Sequence, residues 1–195
     1  MELSIKHQSD LKKAAAILKS GGVGVLPTDT LYGIVGSALN KKTVERIYRL
    51  RRRDRKKPLI VLISSRRDLS RFGIKPNRGT ASVLKKNWPG KVSIILPCPK
   101  PRWRHLHRGT QSIAFRFPKD RLLRLMLKKT GPLVAPSANI AGQPEALTIS
   151  QAKSYFGSKA DFYLEAGKKQ SKASTLIKIQ NGKLTVLRQG AVKVK

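Results

Sequence analysis

The sequence predicts an α/β fold: a twisted mixed β-sheet flanked by helices. Three observations predict it. Short aliphatic and β-branched runs, each closed by Pro or Gly, are interspersed with segments whose apolar residues recur at helical spacing. The two kinds of segment do not alternate as strict βαβ units, which argues against a doubly wound parallel sheet. At 195 residues and 39% hydrophobic composition, one domain spanning residues 1–195 with a sizeable core is expected.

Ser9 and Asp10 mark the first helix start, with Leu11, Ala14, Ala15 and Leu18 as its apolar stripe. Gly21-Gly22 ends it. Val23, Val25 and Leu26 read as a buried strand closed by Pro27, which cannot donate to a ladder. Thr28, Asp29 and Thr30 follow at its carboxyl end, where ligands bind in α/β sheets. Tyr32-Gly33 closes that turn. Asn40 caps a second helix burying Val44, Ile47 and Tyr48. Leu59–Ile63 is a strand, Ser65–Phe72 a short helix, Pro76–Trp88 a helical region and Pro89-Gly90 a turn. Val92–Leu96 is a strand ended by Pro97. Pro99–Gly109 reads as an irregular basic loop with solvated His105 and His107 and a packed Trp103. Ser112–Phe117 alternates with period two, as a strand does. Asp120 starts a helix whose buried side is Leu122, Leu123, Leu125 and Met126. Leu133–Ala135 is a short strand leading into Pro136-Ser137-Ala138-Asn139. Thr148-x-x-Gln151 is a capping box, opening a helix that buries Ala152, Tyr155 and Phe156. Phe162–Leu164, Thr175–Ile179 and Leu184–Leu187 are closing strands, with an Asn181-Gly182 hairpin turn.

Charge separates this chain from an average globular protein. It carries 42 Lys+Arg against 10 Asp+Glu, a net charge of +32. Such a surface repels itself unless anions are near, so nucleotides, RNA or both are expected partners. The densest run is Arg49–Lys57, seven basic residues in nine. That exceeds what a helix C-terminus needs. Cys98 is the only cysteine, so no intramolecular disulfide forms. No signal-peptide core and no membrane-length apolar run occurs, and a soluble cytoplasmic protein is expected. The chain contains no P-loop, no dinucleotide fingerprint and no nucleophile-elbow motif. His105 and His107 lack companion carboxylates, so no metal site is assigned.

Five stretches, in order, resemble the YrdC-type threonylcarbamoyl-AMP synthases. They are Pro27–Gly33 (PTDTLYG); Arg51-Arg52-Arg53 with Pro58-Leu59; WPGKVSIILP followed by SIAFRFP; Pro136-Ser137-Ala138-Asn139 with Gly142; and Ser174-Thr175 with the final LRQGAV. The resemblance implies a YrdC-like fold with a basic concave cavity. It implies a synthase joining L-threonine, bicarbonate or CO2, and ATP into threonylcarbamoyl-adenylate and pyrophosphate. A downstream threonylcarbamoyl-transferase complex then uses the product to modify tRNA. By the same resemblance, Arg51, Arg53 and Lys57 hold the triphosphate, Arg51 and Arg53 giving electrostatic stabilisation. Ser112, Asn139, Thr148 and Arg188 complete the ATP site. Thr30, Arg116, Ser137 and Ser174 hold threonine, Arg116 facing its carboxylate. Mg2+ is expected with ATP, held chiefly by phosphate oxygens and water.

Two departures stand out. Many members have Lys at Arg51, and some have a threonine-contacting His at Leu62. Because the chain ends soon after Arg188, it resembles the short, single-domain form. The alternative reading is a YrdC-like RNA-binding module without adenylation. A third is carbamoyl transfer, as in the related domain of hydrogenase-maturation proteins.

Overall fold

The computed structural model describes residues 1–180 and 183–194. In chain order the elements are β1 (Glu2–Ser4), α1 (Gln8–Lys19), β2 (Val23–Pro27), β3 (Tyr32–Ser37), α2 (Lys41–Leu50) and β4 (Ile60–Leu62). A 3-10 segment (Arg66–Phe72) and α3 (Arg78–Asn87) precede β5 (Val92–Pro97). Next come α4 (Arg104–His107), β6 (Ser112–Arg116), α5 (Arg121–Thr130), β7 (Leu133–Val134) and α6 (Ile149–Phe156). Finally β8 (Phe162–Glu165), β9 (Thr175–Gln180) and β10 (Lys183–Arg188) complete the sheet.

Among the described residues the ten strands form one sheet in the order β1-β8-β2-β3-β7-β4-β6-β5-β9-β10. Pairs β1/β8, β2/β8, β4/β6 and β5/β9 are parallel. Pairs β2/β3, β3/β7, β4/β7, β5/β6 and β9/β10 are antiparallel. The short turn after Pro27 lets β2 and β3 pair antiparallel, and the parallel pairs are joined by long returns, as parallel neighbours require.

Alternation along the strands sorts side chains to two cores. On one face, α1 and α5 cover Leu26, Val35, Leu62, Leu133 and Phe162. On the other, Val25, Ile34, Val61, Phe115 and Ile177 pack against Ile47 and Tyr48 of α2 and Ala152 and Phe156 of α6. Gly24 is required on the first face, because the Phe162 ring lies 2.1 Å from where a Cβ would stand.

Caps read from sequence are in place at three helices. Asn40 accepts from Thr43 N–H, Asp120 from Leu123 N–H, and Thr148 forms a full capping box with Gln151. Several expectations need correction. Helix α1 starts at Gln8 with His7 at the N-cap, and Asp10 reaches back to accept from Ser4 N–H instead. In α5 the buried side is Leu123, Met126 and Leu127, while Leu125 is exposed. Tyr155 is half-buried, its hydroxyl donating to the Pro144 carbonyl. The basic loop is not irregular. Pro101 opens a 3-10 turn, α4 follows, and His105 and His107 are buried. Burial of Trp103 against Phe72 (4.9 Å between rings) and of Leu106 draws them in. His105 Nε2 then lies 3.0 Å from the Ala38 carbonyl oxygen. Strands β1 and β3 were not anticipated. The Asn181-Gly182 turn lies outside the described residues.

A bidentate pair ties α2 to the start of β8. Arg46 donates to both Asp161 oxygens at 2.7 and 2.8 Å, and Asp161 also accepts from Val23 N–H at 2.7 Å. The Arg46 hydrogen bond, chiefly, holds the Asp161 carboxyl below its ordinary 3.8. A depressed carboxyl stabilises the fold above its unfolded pKa and loses that contribution as pH falls through the folded one. Acid unfolding of Asp161→Asn is therefore expected to show a shallower loss of stability below about pH 3.8 than the parent, measured by urea titration at each pH.

Candidate functional site

The β2–β3 hairpin carries the PTDT turn. Thr28 organises it: its hydroxyl donates to the Leu31 carbonyl at 2.7 Å and lies 3.0 Å from Thr30 Oγ1. That geometry places Thr30 beside Arg116, which ends β6. Arg116 Nη1 donates to Thr30 Oγ1 at 3.2 Å, and Nη2 lies 3.0 Å from Asp29 Oδ1. Burial pushes the Arg116 guanidinium down, Asp29 opposes this, and Arg188 adds to it.

Arg51, at the C-cap of α2, turns inward. Its Nε donates to the Asn139 carbonyl at 3.0 Å, and Nη2 reaches Asn139 Oδ1 at 2.7 Å and Ser137 Oγ at 3.3 Å. Arg52 then adopts a left-handed conformation (φ 49°), which reverses the chain and sends Arg53 back toward the recess. Arg53 bonds the Lys57 and Pro58 carbonyls at 3.3 and 3.4 Å. Desolvation, with repulsion from Arg53, pulls the Arg51 pKa to about 10. It remains charged at neutral pH. Tyr48 braces this turn, donating to the Lys57 carbonyl while Arg108 stacks over its ring at 4.0 Å.

On the far wall, Ser174 Oγ lies 2.8 Å from Ser93 Oγ, and its carbonyl accepts two bonds from Arg188 at 2.8 and 3.3 Å. Tyr32 holds the start of the segment that delivers Ser174. Its hydroxyl donates to the Gly167 carbonyl at 2.8 Å and accepts from Ala166 N–H at 2.9 Å. Burial pushes that phenol up to about 12, so it stays protonated.

These groups converge on one open recess. Thr30, Arg51, Arg53, Arg116, Ser137, Ser174 and Arg188 all line it. Asn139 stands behind, bonded to Arg51 and Ser137. Lys57 contributes its carbonyl to the turn and keeps an exposed side chain outside the lining. Ser112 is also outside it. It shares the sheet face of Arg116, four residues up β6, or roughly 13 Å. Between them that face is half-buried at Ala114 and at the neighbouring Ile60 and Ile95, forming an apolar floor. Thr148 is placed as a helix cap, its hydroxyl oxygen accepting from Gln151 N–H. Leu62 points into the α1/α5 core, fully buried, so no contact to the recess comes from it.

Sequence reasoning placed Asp29 in the ligand-binding turn with Thr28 and Thr30 but gave it no contact of its own, and it gave no role to Ser93 or Glu145. Ser93 had a signal, a hydroxyl inside the apolar run VSIIL. Glu145 had none, being one acid in a polar loop. It is the only carboxylate among the lining residues. Four guanidinium groups against one carboxylate make a site for an anion. The donors are N–H and O–H groups rather than oxygens fit to ligate Mg2+. Among the described residues no group of three or more His, Cys, Asp or Glu is placed to hold a metal.

The Sua5/YciO/YrdC family model, whose description reads "Telomere recombination", matches residues 16–190. The chain belongs to this family. A putative threonylcarbamoyl-AMP synthase of Methanocaldococcus jannaschii is 31% identical over 193 residues, 96% of this chain and 91% of that one. A putative synthase of Mycobacterium leprae is 30% identical over 186 residues, 94% of this chain and 84% of the other. Among solved structures, E. coli YciO superposes with a TM-score of 0.89 at 25% identity, covering 100% of this chain and 98% of that one. Sua5 of Pyrococcus abyssi, solved with L-threonine, gives 0.89 at 25% identity over 97% of this chain. This chain spans 57% of that Sua5 chain. The likeness to HypF, TM-score 0.79 at 16% identity, shows the fold alone. The YrdC-like mixed sheet expected from sequence is thus the fold observed.

Proposed function

We propose that this protein is a threonylcarbamoyl-AMP synthase, joining L-threonine, bicarbonate or CO2, and ATP for the threonylcarbamoyl modification of tRNA. The observation that carries the proposal is the shared recess, where Arg116, Thr30, Ser137 and Ser174 sit beside Arg53 and Arg188. Two relatives that bear this name match over nine-tenths of the chain, and a structural neighbour holds threonine.

Arg116 receives the amino acid's carboxylate, and the hydroxyls of Thr30, Ser137 and Ser174 surround it. Guanidinium suits a carboxylate through paired N–H donors. The threonine nitrogen takes up CO2, losing a proton and forming a carbamate. A carbamate oxygen then attacks the α-phosphorus, and the bond to the β-phosphate bridging oxygen breaks, releasing pyrophosphate. The difficulty is bringing two anions together while a third departs. Arg53 and Arg188, with the charge of Arg51, supply positioning and charge neutralisation, which dominate such transfers. The apolar floor between Arg116 and Ser112 gives the nucleoside a surface to lie on. A protein-held Mg2+ is not part of this reading. Any Mg2+ arrives on the triphosphate.

Purified protein supplied with ATP, threonine and bicarbonate is expected to release pyrophosphate, and omission of threonine should return release to background. Release that ignores threonine contradicts the proposal.

A second reading rests on the charge. Arg49, Arg52, Arg55, Lys56 and Lys57 are exposed, in the same run of chain as the recess-lining Arg51 and Arg53. They suit the phosphate backbone of tRNA or another RNA, as substrate-end partner or as sole ligand. RNA affinity carried by them falls linearly on a log–log plot against salt. A flat salt response removes this role. Among the described residues no helix is long and apolar enough to cross a membrane. The synthase reading brings a cytoplasmic location and a downstream transferase complex with it.

A further inference from the structure

Asp29 is a costly residue without a local task. Its side chain is 6% exposed in a chain with only ten acidic residues. It caps no helix, and neither oxygen finds a hydrogen-bond partner of good geometry among the described groups. Taking a carboxylate out of water costs several kcal/mol unless something compensates. The charge facing it is Arg116, at 3.0 Å and 5% exposed. The turn is built to keep them together. Thr28 fixes the backbone on either side through Thr30 N–H (3.2 Å), Leu31 N–H (3.3 Å) and the Leu31 carbonyl. Thr30 then bonds Nη1 of the same guanidinium. Nη1 and Nη2 of Arg116 are thus engaged by consecutive residues of one rigid turn, and Nε is left without a partner.

A flexible, solvent-exposed arginine would serve as a general anion trap. An arginine clamped on two sides presents one orientation to a ligand. We propose that Asp29 is a positioning residue: it locks the Arg116 guanidinium in the orientation that receives the α-carboxylate of the amino-acid substrate, and thereby selects a free carboxylate at that point. The inference rests on the synthase reading for the identity of the amino acid. Asp29 does not touch substrate, since both oxygens are shielded. It acts through Arg116. Its negative charge also offsets the positive charge of Arg116, so the pair does not compete with Arg53 and Arg188 for the triphosphate.

The test is Asp29→Asn, which keeps shape and removes charge. Three ligands are titrated by calorimetry: threonine, threoninamide and ATP. Threonine affinity should weaken by about tenfold or more, the scale of one charge-assisted contact. Threoninamide and ATP affinities should hold, so discrimination between acid and amide collapses. Asp29→Glu is not expected to rescue, because the extra methylene displaces the carboxylate in a shielded site. Unchanged threonine affinity, or equal weakening of all three ligands, overturns the proposal. Should the variant not fold, guanidinium NMR of the unaltered protein decides. A rotationally locked Arg116, resolved before threonine is added, supports the clamp, and a freely rotating one refutes it. If the unaltered protein binds ATP and no threonine, the synthase reading fails by itself, and the NMR signal still reads whether Asp29 fixes Arg116.

Discussion

Arg116→Ala is expected to eliminate measurable threonine binding and to cost about 3–5 kcal/mol of stability. Two separate causes act. The variant removes the guanidinium that lines the recess, and it strands Asp29 as a shielded, uncompensated carboxylate. Removing one member of a buried pair is far more damaging than removing both. The double variant Asp29→Asn with Arg116→Met should therefore regain much of the stability and none of the threonine binding. Urea unfolding and calorimetric titration separate the two. Recovery of threonine affinity in the double variant would show that the carboxylate is bound elsewhere.

Arg51→Ala and Arg53→Ala are expected to differ sharply despite lying two residues apart. Arg51 is 4% exposed and its fork is spent on the Ser137–Asn139 loop. Its loss orphans the Asn139 carbonyl, at a cost of about 1–3 kcal/mol when buried without a partner, and leaves the Asn139 amide oxygen with the Ser137 hydroxyl alone. Both nucleotide and threonine binding should suffer, because Ser137 loses its placement. Arg53 is half-buried and bonds only two carbonyls at long distance. Arg53→Ala should leave the melting temperature within a few degrees and weaken ATP by roughly tenfold or more, the loss of a charge-assisted contact. Arg51→Lys keeps charge without the planar fork, so it should recover nucleotide binding only in part. If Arg51→Ala melts like the parent, the inward network is not what organises the loop.

The sheet's composition was legible because its strands are buried on both faces or alternate cleanly, as in Ile113, Phe115 and their neighbours. Caps at Asn40, Asp120 and Thr148 were legible because their chemistry is local. Strand β3 was not. Gly33 and Gly36 interrupt its apolar pattern, and the space they leave is filled from outside: a Cβ on Gly36 would meet Thr43 at 2.4 Å. The burial of His105 and His107 was hidden as well, since it depends on Trp103 and Leu106 finding a core contributed by distant segments. Strand order is equally non-local, with β8 inserting between β1 and β2. For the site, residue types pointed to anions, and the family resemblance supplied individual positions. Seven of the eleven named residues line the recess, and Asn139 supports it. Thr148 could serve as cap or contact, and its bond shows only the cap. Asp29 was placed in the site turn, but its pairing was not legible, because the partner lies 87 residues away (29 to 116) and sequence spacing does not reveal it.

The central claim is that one basic hollow holds threonine and nucleotide together for their joining. The most direct test supplies 13C-bicarbonate, threonine and ATP and follows the label by mass spectrometry. The account predicts a labelled adduct containing both threonine and AMP, formed with an equal amount of pyrophosphate and absent in Arg116→Ala. Turnover of ATP that gives AMP or ADP with no labelled threonine adduct would contradict it.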